Sequence, residues 1–437
     1  MMLFPLLSRS VLLTSLSIAI TALSIGAYAD DWPQWMGTNR DAKVQGFVAP
    51  KNWPKELKKQ WNVEVGNGVA TPALVGNRLY VFARQSGGEV TRCLDVDTGK
   101  EIWKYEYDTQ SAVGPSQSFP GPRSSPTVVG GKVIVYGVRG KLSCLDAQTG
   151  KLLWSNDESE NSLPRFFTSS SPIVVSELCI AQRGGEDSGS VVAYKLSDGT
   201  EMWKWQGPGT DYASPKLINI GGADVVLVVT DESIAALDPI DGKLLWDTAY
   251  VVTGRGYNAA TPVVDGQTAI FTGSNRGAKA VMLEGNKQGI SATELWNNMD
   301  NSVQYNTPVL KDGRLFGLSA SDVLFCIDEK TGTTAWSAPV SESAQTAPPP
   351  ESGRSGRSGR SGRGGGRAGY GSIVDAGPVL FTLTPSGELG VIEPNGEKLV
   401  RLASYKVAEG STYAYPVISG KRIFIKDGES VTLFTFE

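Results

Sequence analysis

The chain has 437 residues, with 41 Lys plus Arg against 45 Asp plus Glu, 40% hydrophobic residues and no histidine. That mildly acidic balance argues against nucleic acid as a partner, which asks for a strong positive field. The missing histidine excludes His-based triads, His-ligated zinc or haem, and His general bases. At the amino end Arg9 precedes an apolar stretch, Val11 to Ala22, and the small-x-small sequence Ala27-Tyr28-Ala29. Residues 1–29 therefore read as a signal peptide, with the mature chain beginning at Asp30 in the periplasm or outside the cell. An uncleaved anchor is the alternative, because no charge lies between Ser10 and Ala29, although the stretch is short and weakly apolar for a spanning helix. No Cys stands at the cleavage point to accept a lipid. The mature chain is expected to be a monomer without a transmembrane anchor.

After an N-terminal segment, 30–60, the sequence becomes repetitive. Leu94-Asp95-Val96-Asp97-Thr98-Gly99-Lys100-Glu101-Ile102-Trp103 recurs as Leu145 to Trp154 and as Leu237 to Trp246. Looser copies end at Trp203, Trp296 and Trp336, and Trp61 looks like a tail whose front half lies elsewhere. Each repeat opens with Ser or Thr before Pro, as at Thr71, Ser125, Ser171, Ser214, Thr261 and Thr307; Tyr415-Pro416 is a variant and Ser372-Ile373 a degenerate copy without Pro. Between opening and tail lie short apolar strands separated by Gly or Asn turns, with no helical periodicity. The unit is a four-stranded antiparallel sheet whose Trp wedges against the next sheet, and such units at a period of roughly 40 to 50 residues are propeller blades.

The last repeat, from Pro416 to Phe434, has three strands and no Trp, whereas Gln60-Trp61-Asn62-Val63 is a Trp-bearing strand with no blade in front of it. The two fragments are expected to share a blade and close the ring. The prediction is an all-β, eight-bladed β-propeller over residues 61–437, with seven blades as the alternative, and with Trp61, Trp103, Trp154, Trp203, Trp246, Trp296 and Trp336 as blade anchors. Cys93, Cys144 and Cys326 occupy equivalent places in different repeats, too far apart for disulfides. With Cys179 they are expected to be buried free thiols.

The Leu-Asp-x-x-Thr-Gly-Lys-x-x-Trp tails and the Ser/Thr-Pro openings resemble the PQQ-like repeat family, and Asp31-Trp32-Pro33-Gln34-Trp35-Met36-Gly37-Thr38-Asn39-Arg40-Asp41 resembles a segment that precedes the first blade in exported members. The superfamily contains quinoprotein alcohol dehydrogenases and the propeller lipoprotein of the outer-membrane β-barrel assembly machinery. Resemblance to the dehydrogenases implies PQQ over a propeller face near calcium, with a carboxylate as base. This chain lacks their adjacent-cysteine pair and is much shorter, and no calcium-ligating set aligns to particular residues. Asp211 and Asp231 are acids that could serve. The motifs themselves specify fold rather than activity.

One segment breaks the repeat. Residues 341–369 run through Pro348-Pro349-Pro350 into four Ser-Gly-Arg triplets, a composition expected to be disordered, either as a slipped loop or as a basic arm for an anionic surface. For a ligand, the outer-to-inner connections and the second-to-third-strand loops share one face. Arg84, Arg123, Arg139, Arg165, Arg183, Arg255 and Arg276 fall there among many acids, which also fits a solvated, salt-bridged rim. Arg123, Tyr212, Tyr305, Tyr370 and Tyr413 each stand two residues before an opening, with Asn258 nearby. These six are the candidate channel-mouth residues for a planar anionic ligand, the alternative being tyrosines packed against neighbouring loops. No catalytic or metal-binding residue is assigned. The functional expectation is a non-catalytic binding or protein-interaction scaffold whose face holds an envelope protein or a small anionic ligand; a PQQ- and calcium-dependent dehydrogenase is the alternative.

Overall fold

The computed structural model describes residues 31–157, 162–185, 188–252, 256–340 and 369–436. The predicted signal peptide, Arg255 and residues 341–368 of the Ser-Gly-Arg insert lie outside them. The described residues form eight four-stranded antiparallel sheets arranged as an eight-bladed β-propeller. Blade 1 runs outward from Ala73–Val75 through Arg78–Gln85 and Gly88–Asp95 to Glu101–Asp108. The seven-blade alternative fails at the degenerate repeat: Ser372–Asp375, Leu380–Leu383, Glu388–Glu393 and Val400–Lys406 make a complete blade 7 without a Pro at the opening or a Trp at the tail. Blade 8 combines Val417–Ser419, Arg422–Lys426 and Ser430–Thr435 with Lys58–Glu64 from the other end of the chain, Trp61 lying opposite Leu433. The shared blade is the predicted closure.

Burial explains the strand patterns. The two middle strands of a blade face a neighbouring blade on each side, so they read as apolar runs such as Lys132–Tyr136 rather than as alternation. The outer strand alternates, as in Glu101–Asp108, where Ile102 is exposed and Trp103 buried. In blades 1 to 7 the ladder between the last two strands carries a register shift, and Trp103 sits opposite Cys93 just before it. Trp154 faces Cys144 and Trp336 faces Cys326 in the same way, so those cysteines supply the small side chain beside the indole. All four cysteines are buried and free.

Most repeat motifs make an indole bond to the next blade, Trp246 being the copy for which none is seen among the described residues. The Trp103 indole N–H donates to Ala147 O (3.1 Å), Trp154 to Leu196 O (3.1 Å), Trp203 to Pro239 O (3.1 Å), Trp61 to Val96 O (2.9 Å) and Trp336 to Asn395 O (2.9 Å). The receiving turn is held by its Asp: Asp146 Oδ1 accepts from the Thr149 amide (2.8 Å) and hydroxyl (2.7 Å). Gly150 then turns at φ 72°, and a Cβ there would overlap the Trp103 ring. The Ser/Thr openings form a second ring of contacts. Ser125 N–H donates to Ser171 Oγ (2.9 Å), Ser171 N–H to Ser214 Oγ (2.9 Å), Thr261 N–H to Thr307 Oγ1 (3.0 Å) and Tyr415 N–H to Thr71 Oγ1 (2.9 Å). At degenerate blade 7 the longer Tyr415 hydroxyl takes over and accepts from Thr307 N–H (3.1 Å).

The N-terminal segment lies inside the ring. Trp32 exchanges backbone bonds of 2.8 Å with Leu74 of blade 1, Pro33 O accepts from Val128 N–H of blade 2 (2.7 Å), and Val44 N–H donates to Asp375 O of blade 7 (2.7 Å). Arg40, 2% exposed, donates to Ser171 O (3.2 Å), Pro172 O and Pro215 O (2.9 Å) of blades 3 and 4. Lys216 of blade 4 donates back to Asn39 O (2.5 Å) and Arg40 O (2.9 Å). Farther along, Trp53 packs edge-on against Phe381 of blade 7 and Phe436 beside blade 8, at ring separations of 6.3 and 5.4 Å. It fills the seam where the blade 7 tail carries Ala403 in place of a Trp.

Candidate functional site

The sequence of each opening places one residue, two before the Ser, Thr or Tyr, where the chain enters the channel. The structure gathers all eight of these: Val69, Arg123, Ser169, Tyr212, Ala259, Tyr305, Tyr370 and Tyr413 line a single cavity of about 330 Å³ at the channel mouth. Five of the six candidates therefore meet at one site. Asn258 does not line it. In an extended strand alternate residues face opposite ways, and Asn258 is three before Thr261, so Ala259 takes the inward place. Asn258 is instead 1% exposed, its N–H on Asp211 Oδ2 (2.5 Å), its amide on Thr230 O (2.7 Å) and its carbonyl oxygen accepting from Arg276.

Three further aromatics come from the outer-to-inner loops: Phe119, Phe166 and Tyr257. On one side Tyr305 stacks on Tyr370 at 4.2 Å, Tyr413 meets Tyr370 edge-on at 5.2 Å, and Phe119 meets Tyr413 at 5.1 Å. Facing them, Phe166 meets Tyr257 at 4.7 Å and Tyr212 at 6.1 Å. Sequence reasoning missed this second tier because these residues stand outside the minus-two register; aromatics recurring in successive outer-to-inner loops were the available signal. Trp35 also lines the cavity, and nothing in a repeat search points to it.

Arg123 joins the two aromatic walls. Its guanidinium donates to Phe119 O (2.8 Å) on one side and Phe166 O (2.6 Å) on the other. Burial lowers it from the usual value to about 10, which leaves it charged at neutral pH. Glu89, the acid whose field reaches it, is itself buried; burial raises its carboxyl, which accepts from Tyr107 OH and from Val138 N–H (2.9 Å). Four other described arginines of this face make local contacts. Arg84 donates to Gly87 O and Thr109 O (both 2.8 Å), Arg139 to Gln110 (3.0 Å), and Arg276 lies 4.0 Å over the Tyr250 ring. Arg165 lies over Phe166 at 5.6 Å. The contacts of these four are to carbonyls, an amide and aromatic rings, while on the same face Lys141 pairs with Asp157 at 3.6 Å.

Among the described residues the cavity is thus an aromatic cup lined by one charged group, a guanidinium, and by no Asp or Glu. Calcium takes six to eight oxygen ligands, carboxylates prominent among them, so this donor set does not fit calcium. Among the described residues no three Asp, Glu or Cys side chains gather to hold a metal ion. Asp211 spends Oδ2 on Asn258 N–H, outside the cup. Flat stacking surfaces and a cation do suit a planar anion. Among the described residues no helix is long and apolar enough to cross a membrane.

The family model for outer membrane protein assembly factor BamB matches residues 51–214, 187–338 and 291–355. A quinohemoprotein alcohol dehydrogenase of Comamonas testosteroni is 30% identical over 167 residues, 37% of this chain and 23% of that protein. BamB of Xanthomonas campestris pv. campestris is 26% identical over 298 residues, 63% of this chain and 71% of its own. In three dimensions the crystal structure of BamB from Moraxella catarrhalis matches with a TM-score of 0.61 and 14% identity, over 87% of this chain and 100% of that one. The Comamonas dehydrogenase structure gives 0.63 and 16%, over 93% and 80%. At those identities the structural likeness speaks to the fold alone. The matched part of this chain spans 23 to 31% of the first dehydrogenase relatives.

Proposed function

Because the chain belongs to the PQQ-like propeller family, whose matching model is that of BamB, we propose that it is an exported, non-catalytic binding propeller whose aromatic cup takes a small aromatic anion. One observation carries this reading: among the described residues Arg123 is the sole charged group in a lining of Tyr, Phe, Trp, Ser and small apolar residues. An aromatic cage by itself suits cations, but a guanidinium held by two carbonyls sets the opposite sign. Among the described residues the lining offers no carboxylate to act as a base toward an alcohol. Export is supported by Arg9, the apolar Val11 to Ala22 stretch and Ala27-Tyr28-Ala29. The tryptophans between blades, in this reading, serve the scaffold rather than a ligand.

The dehydrogenase alternative keeps the same cup but needs calcium beside PQQ and a carboxylate base. Calorimetric titration of the mature chain with PQQ, with and without calcium, separates the two. The binding reading expects no calcium dependence and no reduction of an electron-accepting dye on adding alcohols or sugars. Calcium-dependent, stoichiometric PQQ binding together with substrate-dependent dye reduction would overturn it.

A further inference from the structure

A ring of blades encloses a channel open at both ends unless something fills it. Here the filling is residues 31–44, which belong to no repeat. Each inner strand runs from the cup side to a turn on the opposite face, and Asp31 Oδ1 accepts from the Gly76 N–H in one of those opposite turns (2.7 Å). Trp32 and Val44 bond the far ends of inner strands, at Leu74 and Asp375. Between them the segment climbs: Arg40 reaches the carbonyls at the openings of blades 3 and 4, and Trp35 reaches the opening of blade 5, where its indole N–H donates to Thr261 Oγ1 (2.9 Å). The segment therefore rises from the far face, turns beneath the cup, and returns.

Trp35 is the top of that turn and lines the cup. Its ring cannot swing aside, because Thr261 holds one edge and Tyr415 packs against it edge-on at 5.0 Å. Directly following it, Met36 is fully buried, and Arg40 is 2% exposed. Buried side chains of the same segment therefore lie directly below the indole.

We propose that this propeller reads its ligand end-on in a blind cup, and that Trp35 is a specificity-determining residue that sets how deep an aromatic ring can enter. The inference rests on the cup being the binding site and adds a size class. A cavity of about 330 Å³ lies at the small end of ligand pockets and holds a fused two-ring anion, whereas a peptide, glycan or rod that would thread the channel is stopped. The Arg123 guanidinium sits at the wall rather than the base, so the anionic group lies toward the side of the cup and the ring face or edge meets the indole.

The test uses two rigid carboxylates, 2-naphthoate and p-terphenyl-4-carboxylate, titrated calorimetrically into the mature chain, into Trp35→Ala and into Thr261→Val. The second variant keeps the indole but removes its anchor, so it remains informative should Trp35→Ala fold poorly; thermal melts of both check that the ring is intact. The expected result is naphthoate preferred at least tenfold over terphenylcarboxylate in the wild type. Trp35→Ala should lose about tenfold in naphthoate affinity while the rod gains, and Thr261→Val should lose about threefold. Naphthoate affinity within twofold of wild type in both variants would overturn the role of Trp35 while leaving the cup as the site. Absence of naphthoate binding to the wild type would overturn the cup reading and this inference with it.

Discussion

At the scale of single residues, three cations bonded to backbone carbonyls, Arg123, Arg40 and Lys216, define what the channel can do. Arg123 faces the cup, and its substitution by Gln is expected to weaken binding of an aromatic carboxylate by about tenfold or more, the worth of one hydrogen bond to a charged group. Titrating 2-naphthoate into Arg123→Gln checks this; unchanged affinity would remove Arg123 from the site. Arg40 and Lys216 hold the N-terminal segment through carbonyls alone. Burial lowers Lys216 to about 8 and Arg40 to about 9. Below pH 8 folded and unfolded chains both keep the Lys216 proton. From there to the ordinary lysine value the unfolded chain holds more protons, so stability contributed by this group rises with pH. Buried Tyr415, raised to about 12 by burial, works the other way above the ordinary tyrosine range. Urea melts at pH 7.5 and 9.5 should therefore show wild type gaining on Lys216→Met by up to about 2 kcal/mol. A difference that stays flat would mean that Lys216 is charged throughout.

At the scale of the blade, the recurring Trp and turn Gly act as one joint. Trp103→Ala removes an indole that is 8% exposed and bonded to Ala147 O, and should cost about 3–5 kcal/mol in a urea melt. Trp246 is the informative comparison. Blade 5 carries the hairpin Ala278–Asn286 to Gly289–Asn298 where blades 1, 2, 3, 4 and 6 carry the Asp-Gly turn, and Trp246 stays half-buried. Trp246→Ala should cost visibly less than Trp103→Ala, and equal losses would contradict the joint described here. The same comparison shows what the sequence made legible. Leu-Asp-x-x-Thr-Gly-Lys-x-x-Trp is readable because every residue in it has a local reason, such as Asp146 holding its turn and Gly150 making room for Trp103. The minus-two register was readable too, since it depends only on strand alternation, and Asn258, named only as a neighbour of that register, stands one residue off it and faces away from the cup. Phe119, Phe166 and Tyr257 were legible only as aromatics recurring in successive outer-to-inner loops, since they stand at different distances from their openings and keep no fixed register.

At the scale of the whole molecule, stability depends on the two chain ends meeting. Lys58–Glu64 is the outer strand of a blade whose other three strands come from the last residues of the described chain. Deleting 430–437 leaves that strand unpaired and the seam between blades 8 and 1 open, so the melt should lose cooperativity and the protein should aggregate at unpaired strand edges. A sharp two-state melt of that truncation would contradict closure by shared strands. Ring closure was legible from Trp61 and the Trp-less final repeat, because a half-blade at each end has only one economical partner. The channel plug was not. Trp35 and Arg40 belong to no repeat, and their contacts join residues more than a hundred positions apart.

The central claim is that an eight-bladed ring presents an aromatic cup whose sign is set by Arg123. The most direct measurement is a pair of calorimetric titrations of the mature chain with 2-naphthoate and with (2-naphthyl)trimethylammonium, equal in ring system and opposite in charge. The expected result is one-to-one binding of the carboxylate, at least tenfold tighter than the ammonium. An ammonium bound as tightly as the carboxylate, or more tightly, would contradict it and make the cup a cation cage instead.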